Sequence, residues 1–413
     1  MTAYRHWAAL ALAVAAAPLQ AETSPWYVGA SQAYTRTSNL LRLSDTQAVP
    51  GGFQRSDTIS STSLLGGLDL PIGRQRVYGN MALRSNRMAN NELFDNQGYT
   101  LTAGLDWATV ERLSGSLKLQ SNRNLASFNA EGIGFVPKKN VETSQQLDAA
   151  LRLGVVTAWT AELNVGTRSV DYTAQEYLSR EFRQDSASLG LRWRPVGPLA
   201  LGAAWRETRG RYPHFRALAN GSFEADRFDR RDLDLTAYLD ASGASTVSAR
   251  LSLGRTAYEE ATQRDFSGVT GQLRWDWRPT GRLRLDTRLT RDPSQSSYFF
   301  DSPRAADSTV EYSRVTTGLR LRADYEVSAK VLLNTSLAVE RRSLARTLPT
   351  ITGAEPLTGN DRNTRFALGA TWTPSRALLF GCDLSQDRRR GDGVLSIDFS
   401  ATTTSCYAQV TLQ

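Results

Sequence analysis

The chain has 413 residues, with 49 Lys and Arg against 41 Asp and Glu, a formal net charge of +8, and arginine supplying nearly all of the positive charge. Its two cysteines, Cys382 and Cys406, exclude a cysteine-rich scaffold and a four-thiolate metal site. No uncharged run reaches the roughly 20 residues that a membrane-crossing helix needs.

At the N-terminus, Arg5 precedes the apolar run WAALALAVAAA (7–17) and then PLQA, the order of a secretory signal peptide with cleavage after Ala21. Residues 1–21 are therefore expected to be the signal peptide and 22–413 a single domain, since no Pro- or Gly-rich linker divides them. A secreted chain seldom meets nucleic acid, so the basic balance points instead to an anionic solute or polymer.

From there on, segments of about ten to fourteen residues alternate apolar and polar side chains, the period of a strand. Short connections such as PIGR (71–74), ATVER (108–112), RPVGP (194–198), SGAS (242–245), RPTGR (278–282), VSAK (327–330) and TPSRA (373–377) separate some of them. Long polar connections separate the others: NLASFNAEGIGFVPKKN (124–140), GRYPHFRALANGSFEADRF (210–228), DPSQSSYFFDSPRAADS (292–308) and RTLPTITGAEPLTGND (346–361). Tight turns at one end and long loops at the other mark a bacterial outer-membrane barrel. The segments predict an all-β, antiparallel up-and-down transmembrane barrel of about eighteen strands, with sixteen as the alternative, running from near 25–38 to near 401–412.

In chain order, Leu147, Leu151 and Leu153 oppose Asp148 and Arg152; Leu189, Leu191 and Trp193 oppose Arg192 and Arg194; Leu251 and Leu253 oppose Arg250. Leu273, Trp275 and Trp277 oppose Arg274, Asp276 and Arg278, and Leu283, Leu285 and Leu289 oppose Arg284, Asp286 and Arg288. In GLRLRADYEVSAKVLLNTSL (318–337), Leu319 and Leu321 oppose Arg320 and Arg322. A soluble sandwich would bury the leucines in a core, and a membrane barrel would turn them to lipid. Arginines facing lipid would cost roughly 2–4 kcal/mol each near the midplane, so in a barrel they line water. A weak repeat favours the barrel: DWATVERLSGSL, RWRPVGPLALG, DWRPTGRLRLD, DYEVSAKVLL and TWTPSRALLFG each set an aromatic just before a turn. Trp107, Trp193, Trp277, Tyr325 and Trp372 are thus expected to form a girdle at the membrane interface.

The parity assigns Lys118, Arg152, Arg192, Arg194, Arg206, Arg250, Arg274, Arg278, Arg284, Arg288, Arg320 and Arg322 to the lumen as an anion path. The competing reading is a charge lattice, because Asp106, Asp148, Glu162, Asp276, Asp286, Asp324 and Asp383 share that face. Cys382 and Cys406 fall on the last two strands, both on the lipid side, and lie opposite each other if the hairpin centres near Val394; the alternative is two free thiols. Catalysis is not expected: His214 is the only histidine after the signal, read as a solvated loop residue, and no HExxH or G-x-S-x-G is present. No metal or cofactor is implied. Tyr298, Phe299, Phe300, Tyr212, Pro213 and Phe215 in the long loops either stack on sugar rings or fold onto the barrel rim.

TSNLLRLSD (37–45), SDTISSTSLLGGLDLPIGRQRVYGNMAL (56–83) and the closing SCYAQVTLQ (405–413) resemble the EpsL-type exopolysaccharide-biosynthesis outer-membrane proteins of the type-two β-barrel porin group. The chain departs from that pattern at Thr37 and Ser38, where acidic residues are common, and at the non-aromatic terminal Gln413. The resemblance implies a barrel in the outer membrane, among lipid and lipopolysaccharide, that works with periplasmic and inner-membrane export proteins to pass an anionic polysaccharide. The alternatives are a general anion-preferring porin for small solutes, and a plugged structural barrel serving as an assembly partner.

Overall fold

Strict alternation has one backbone solution, because an extended chain sends successive side chains to opposite faces. The computed structural model describes residues 24–413 apart from 131–133, 155–156, 196, 219, 293–312, 351–352 and 393–395; the expected signal peptide (1–21) and Tyr298, Phe299 and Phe300 lie outside the described residues. The first strands are β1 (Trp26–Thr37), β2 (Asp57–Ile72), β3 (Gln75–Met88), β4 (Asn96–Ala108) and β5 (Leu113–Leu125). The two-residue strands β6 (Asn129–Ala130) and β7 (Gly134–Phe135) pair with each other inside the next loop. There follow β8 (Val141–Leu153), β9 (Trp159–Tyr172), β10 (Phe182–Trp193), β11 (Leu199–Ala217), β12 (Phe223–Ser242), β13 (Ser245–Tyr258) and β14 (Phe266–Thr280). Last come β15 (Leu283–Asp292), β16 (Ser313–Ser328), β17 (Val331–Thr350), β18 (Gly353–Ser375), β19 (Leu378–Gly391) and β20 (Phe399–Leu412).

Apart from β6 and β7, each strand pairs antiparallel with the next, and β1 pairs with β20 as well as with β2, from Val28↔Leu412 to Thr37↔Thr403. The 18-stranded sheet is therefore a closed barrel without an edge. Two segments read from the sequence as loops continue the ladder instead. Within 210–228, Tyr212 pairs with Asp226 and Arg216 with Glu224; within 346–361, Arg346 pairs with Leu357 and Thr350 with Gly353. A strand that rises clear of the membrane meets water on both faces, so the alternation that reveals strands fades there.

The faces divide as parity requires. Leu64, Leu117, Leu147, Leu189, Leu251, Leu319 and Leu368 are exposed on the outer wall, Leu189 by 66%. Their neighbours Lys118, Asp148, Ser188, Arg250, Arg320 and Ala367 turn inward and are partly covered. Among the described residues no helix is long and apolar enough to cross a membrane; here strands do the crossing. A closed barrel satisfies its own backbone, and an apolar outer band of this kind matches hydrocarbon.

The buried apolar residues sit at the long-loop end, inside the mouth. Leu41, Leu43, Phe94 and Phe128 form one cluster, where the connection after β1 and the turn before β4 fold inward. Val170, Tyr172, Tyr177, Phe182, Tyr212, Phe228 and Tyr258 form another, carried by β9 to β13 and the short 3-10 helix Gln175–Arg180. Tyr212 and Phe215 thus fold onto the rim. His214 is not a free loop residue: it lies on β11, its Nδ1 is 2.8 Å from Glu181 Oε2, and its ring meets Phe223 edge-on at 4.9 Å.

Candidate functional site: the charged wall of the lumen

The inward side chains differ around the barrel. On β20 and β1 to β5 they are mainly hydroxyls, amides and tyrosines, among them Ser405, Tyr407, Tyr27, Ser63, Tyr78, Asn80, Thr102 and Gln120. Gly67 and Gly104 make room for two of those rings, since a Cβ at either would overlap Tyr27 or Tyr78 respectively. From β8 to β19 the wall is denser in Arg, Asp and Glu, so charge is concentrated on one side of the lumen, while β2 to β5 contribute Asp69, Arg76, Arg84, Asp106 and Lys118 among their hydroxyls and amides.

Most of the charged side is paired. Glu162 receives Arg192 at 3.0 Å and Arg152 at 3.8 Å across β8 to β10. Lys118 stands opposite Asp148 in register. Arg274 reaches Asp276 at 2.8 Å and Asp286 at 3.0 Å, Arg284 reaches Asp276 at 3.4 Å, and Arg322 is held by Asp324 at 2.7 Å. Towards the mouth the network becomes buried. Arg206 grips Asp234 with two bonds of 2.8 and 3.1 Å and reaches Asp232 at 3.1 Å. Arg230 grips Asp232 at 2.7 and 2.9 Å and reaches Asp292 at 3.4 Å, while Ser252 donates to Asp234 at 2.5 Å. Arg342 pairs with Asp361 on the facing strands β17 and β18.

Three positively charged residues also stand abreast. Arg274 on β14 pairs in register with Arg288 on β15, and Arg288 with Arg320 on β16. Adjacent strands lie about 4.8 Å apart, so this row spreads three guanidiniums over about 10 Å of lumen wall. Among the described residues Arg320 has no carboxylate at ion-pair distance. A row of this kind can hold an anion in two-pronged hydrogen bonds.

Of the twelve lumen candidates, Lys118, Arg152, Arg192, Arg206, Arg250, Arg274, Arg284, Arg288, Arg320 and Arg322 do lie on inward positions of the wall. Arg194, just past the end of β10, and Arg278, near the end of β14, stand at the short-turn rim, both exposed, their amides bound to Ala158 and Ala244. Arg230, Asp232 and Asp234 were not singled out by the sequence reading, although the alternation in DRFDRRDLDL (226–235) is the signal that finds them, and Asp292 stood at the start of the segment read as the loop 292–308.

The girdle residues Trp193, Trp277, Tyr325 and Trp372 are exposed at the short-turn end, and Trp107 is half-buried there over Gly115. Trp26, Trp159 and Trp275 join them, Trp159 stacked on Trp193 at 6.0 Å and Trp275 on Trp277 at 5.2 Å. Cys382 and Cys406 face each other in register, exposed on the outer wall, and form a disulfide with Cα atoms 4.1 Å apart. In the loop helix, Lys138 bound to Glu176 holds that carboxyl below its usual range, and burial pushes the Tyr177 phenol up.

Closed strands, an apolar outer band and a polar, charged interior define an outer-membrane β-barrel. No protein-family model and no curated protein matches the sequence. Among solved structures the chain is similar to the outer membrane protein opdK from Pseudomonas aeruginosa, at 12% identity over 94% of this chain and 98% of that one, with a TM-score of 0.45. It is also similar to Pseudomonas aeruginosa OccK2 (OpdF) in complex with glucuronate, at 11% identity over 94% and 98%, TM-score 0.46. The FrpB iron transporter from Neisseria meningitidis is similar at 10% identity over 93% of this chain and 66% of that one, TM-score 0.47. At such identities the likeness is one of fold.

Proposed function

We propose that the barrel passes an anionic or partly charged exopolysaccharide across the outer membrane. The observation that carries the reading is the row Arg274–Arg288–Arg320 on the lumen face. Sugar carboxylates or phosphates would meet these guanidiniums, while ring hydroxyls would meet the Ser, Thr, Asn and Tyr side chains of the opposite wall. Passage is passive, through weak and repeated contacts that attract the chain without trapping it. Periplasmic and inner-membrane export proteins would deliver the polymer to the short-turn end.

A second reading, a porin for small anions, is favoured by one feature. Tyr172, Phe182, Tyr212 and Phe228 belong to the aromatic cluster folded inward at the mouth, which takes up part of the opening and suits small solutes better than a polymer.

The two readings separate on R274Q/R288Q/R320Q. An exporter carrying it releases less extracellular polymer while growth on small anionic nutrients is unchanged. A porin carrying it loses anion preference in planar bilayers, and polymer output stays at the wild-type level. Unchanged polymer output in the deletion strain removes the export reading.

A further inference from the structure

On the outer wall the apolar band ends, towards the long-loop side, in a row of arginines. Arg291 on β15 pairs in register with Thr317 on β16, Thr317 with Arg341 on β17, Arg341 with Arg362 on β18, and Arg362 with Arg390 on β19. These four arginines are exposed, and their parity is that of Leu289, Leu319 and Val339, so they point away from the lumen. The next outward row towards the membrane runs Leu289, Leu319, Val339, Thr364 and Arg388 in register, and below it Leu321, Leu337 and Phe366 follow.

Arg341, Arg362 and Arg390 occupy three consecutive strands and so put like charges side by side within about 10 Å, an arrangement that destabilises a sheet left to itself. Among the described residues, none of the three has a carboxylate at ion-pair distance. The adjacent acids Glu340 and Asp361 have the opposite parity and face the lumen, and Asp392, two residues past Arg390, accepts the Asn360 amide at 2.8 Å. Elsewhere on the rim several outward arginines are matched: Arg209 meets Asp229 at 3.6 Å, Arg227 meets Glu259 at 3.7 Å and Arg231 meets Glu207 at 3.8 Å, and in the other in-register row, Arg183–Arg211–Arg227, the last is one of these. The unmatched row also lines a groove of about 830 Å³, shared with Thr317, Asn360 and Asp392.

We propose that this row is the binding site for the phosphorylated headgroup of an outer-leaflet glycolipid of the lipopolysaccharide type. Three guanidiniums abreast match a headgroup carrying two phosphates, and the apolar band beside and beneath them, Leu289, Leu319, Val339, Leu337 and Phe366, receives its acyl chains. One anion thus supplies the missing counter-charge and covers the top of the apolar band. The inference rests on the barrel's place in the membrane and not on what passes through the lumen.

The test titrates bisphosphorylated lipid A, and the same lipid with its phosphates removed, into the detergent-solubilised barrel, with binding read by native mass spectrometry. The wild type is expected to prefer the phosphorylated lipid. R341Q/R362Q/R390Q is expected to bind it roughly a hundredfold more weakly, at about fivefold per arginine. R209Q/R227Q/R231Q, whose arginines already have carboxylate partners, is expected to keep wild-type affinity. Heat-shifted gel migration verifies the folded barrel; should the triple variant fail to fold, R362Q alone is expected to lose about fivefold. Equal binding of the two lipids, or full affinity in the first variant, overturns the site. So does polygalacturonate binding that the same substitutions abolish without any lipid preference, since that assigns the row to polymer.

Discussion

Asp232 lets the cost of the buried lumen network be worked out. Its side chain is 0% exposed, and it serves two arginines that are themselves only 4% and 3% exposed, Arg206 and Arg230. Three contacts of 3.1, 2.7 and 2.9 Å hold the pair of guanidiniums against one carboxylate. At about 3 Å, and with an effective dielectric of about 20, each attraction is about 5 kcal/mol before desolvation is charged against it. Asp232→Asn keeps the shape and removes the charge, leaving Arg206 and Arg230 facing each other across an amide. Removing one partner of a buried ion pair costs about 3–5 kcal/mol, and that loss is expected in urea unfolding of the barrel in detergent or liposomes, followed by tryptophan fluorescence. Asp229→Asn is the control. Asp229 and its partner Arg209 lie on the same strands with side chains 66% and 79% exposed, so that loss is expected below about 1 kcal/mol. Equal losses for the two variants would refute the reasoning, because they would mean that the lumen solvates Asp232 as freely as bulk water does.

Other consequences follow from the same geometry. Reducing the Cys382–Cys406 bond, which closes a sequence separation of 24, is expected to lower stability by about 3.5 kcal/mol on the chain-entropy account; a shift in the urea midpoint with and without reductant measures it. Leu321→Arg places a charge on the lipid face of β16 and is expected to cost about 2–4 kcal/mol in liposomes, whereas Ser336→Arg, its neighbour on the lumen side of β17, is expected to cost under about 1 kcal/mol. Gly104→Ala pushes a methyl into the Tyr78 ring and is expected to destabilise by about 1–3 kcal/mol, while Gly104→Ala with Tyr78→Ser recovers part of that in the same unfolding assay.

Much of the wall was legible because parity is local. Leu319, Arg320, Leu321 and Arg322 announce their faces by position alone, and ten of the twelve lumen candidates stand on the inward side for that reason. Arg194 and Arg278 stand at the rim, where a strand turns, and parity fades altogether in 210–228 and 346–361, which rise above the membrane, where both faces are wet and a strand resembles a loop. His214 shows the same limit, since its partner Glu181 lies 33 residues away.

Alternation along a single strand needs only the two solvents it faces, oil on one side and water on the other. Strand number, the outward leucines and the girdle at the short-turn end were therefore written in the chain by itself. Which charges meet is a property of register around a closed wall. Arg206 finds Asp234 28 residues away, and Arg341, Arg362 and Arg390 become neighbours only when three hairpin strands align. The buried network at the mouth and the bare arginine row outside belong to the tertiary structure for that reason: distance along the chain does not encode which residues of adjacent strands stand opposite one another, except across a single hairpin such as the one that joins Cys382 to Cys406.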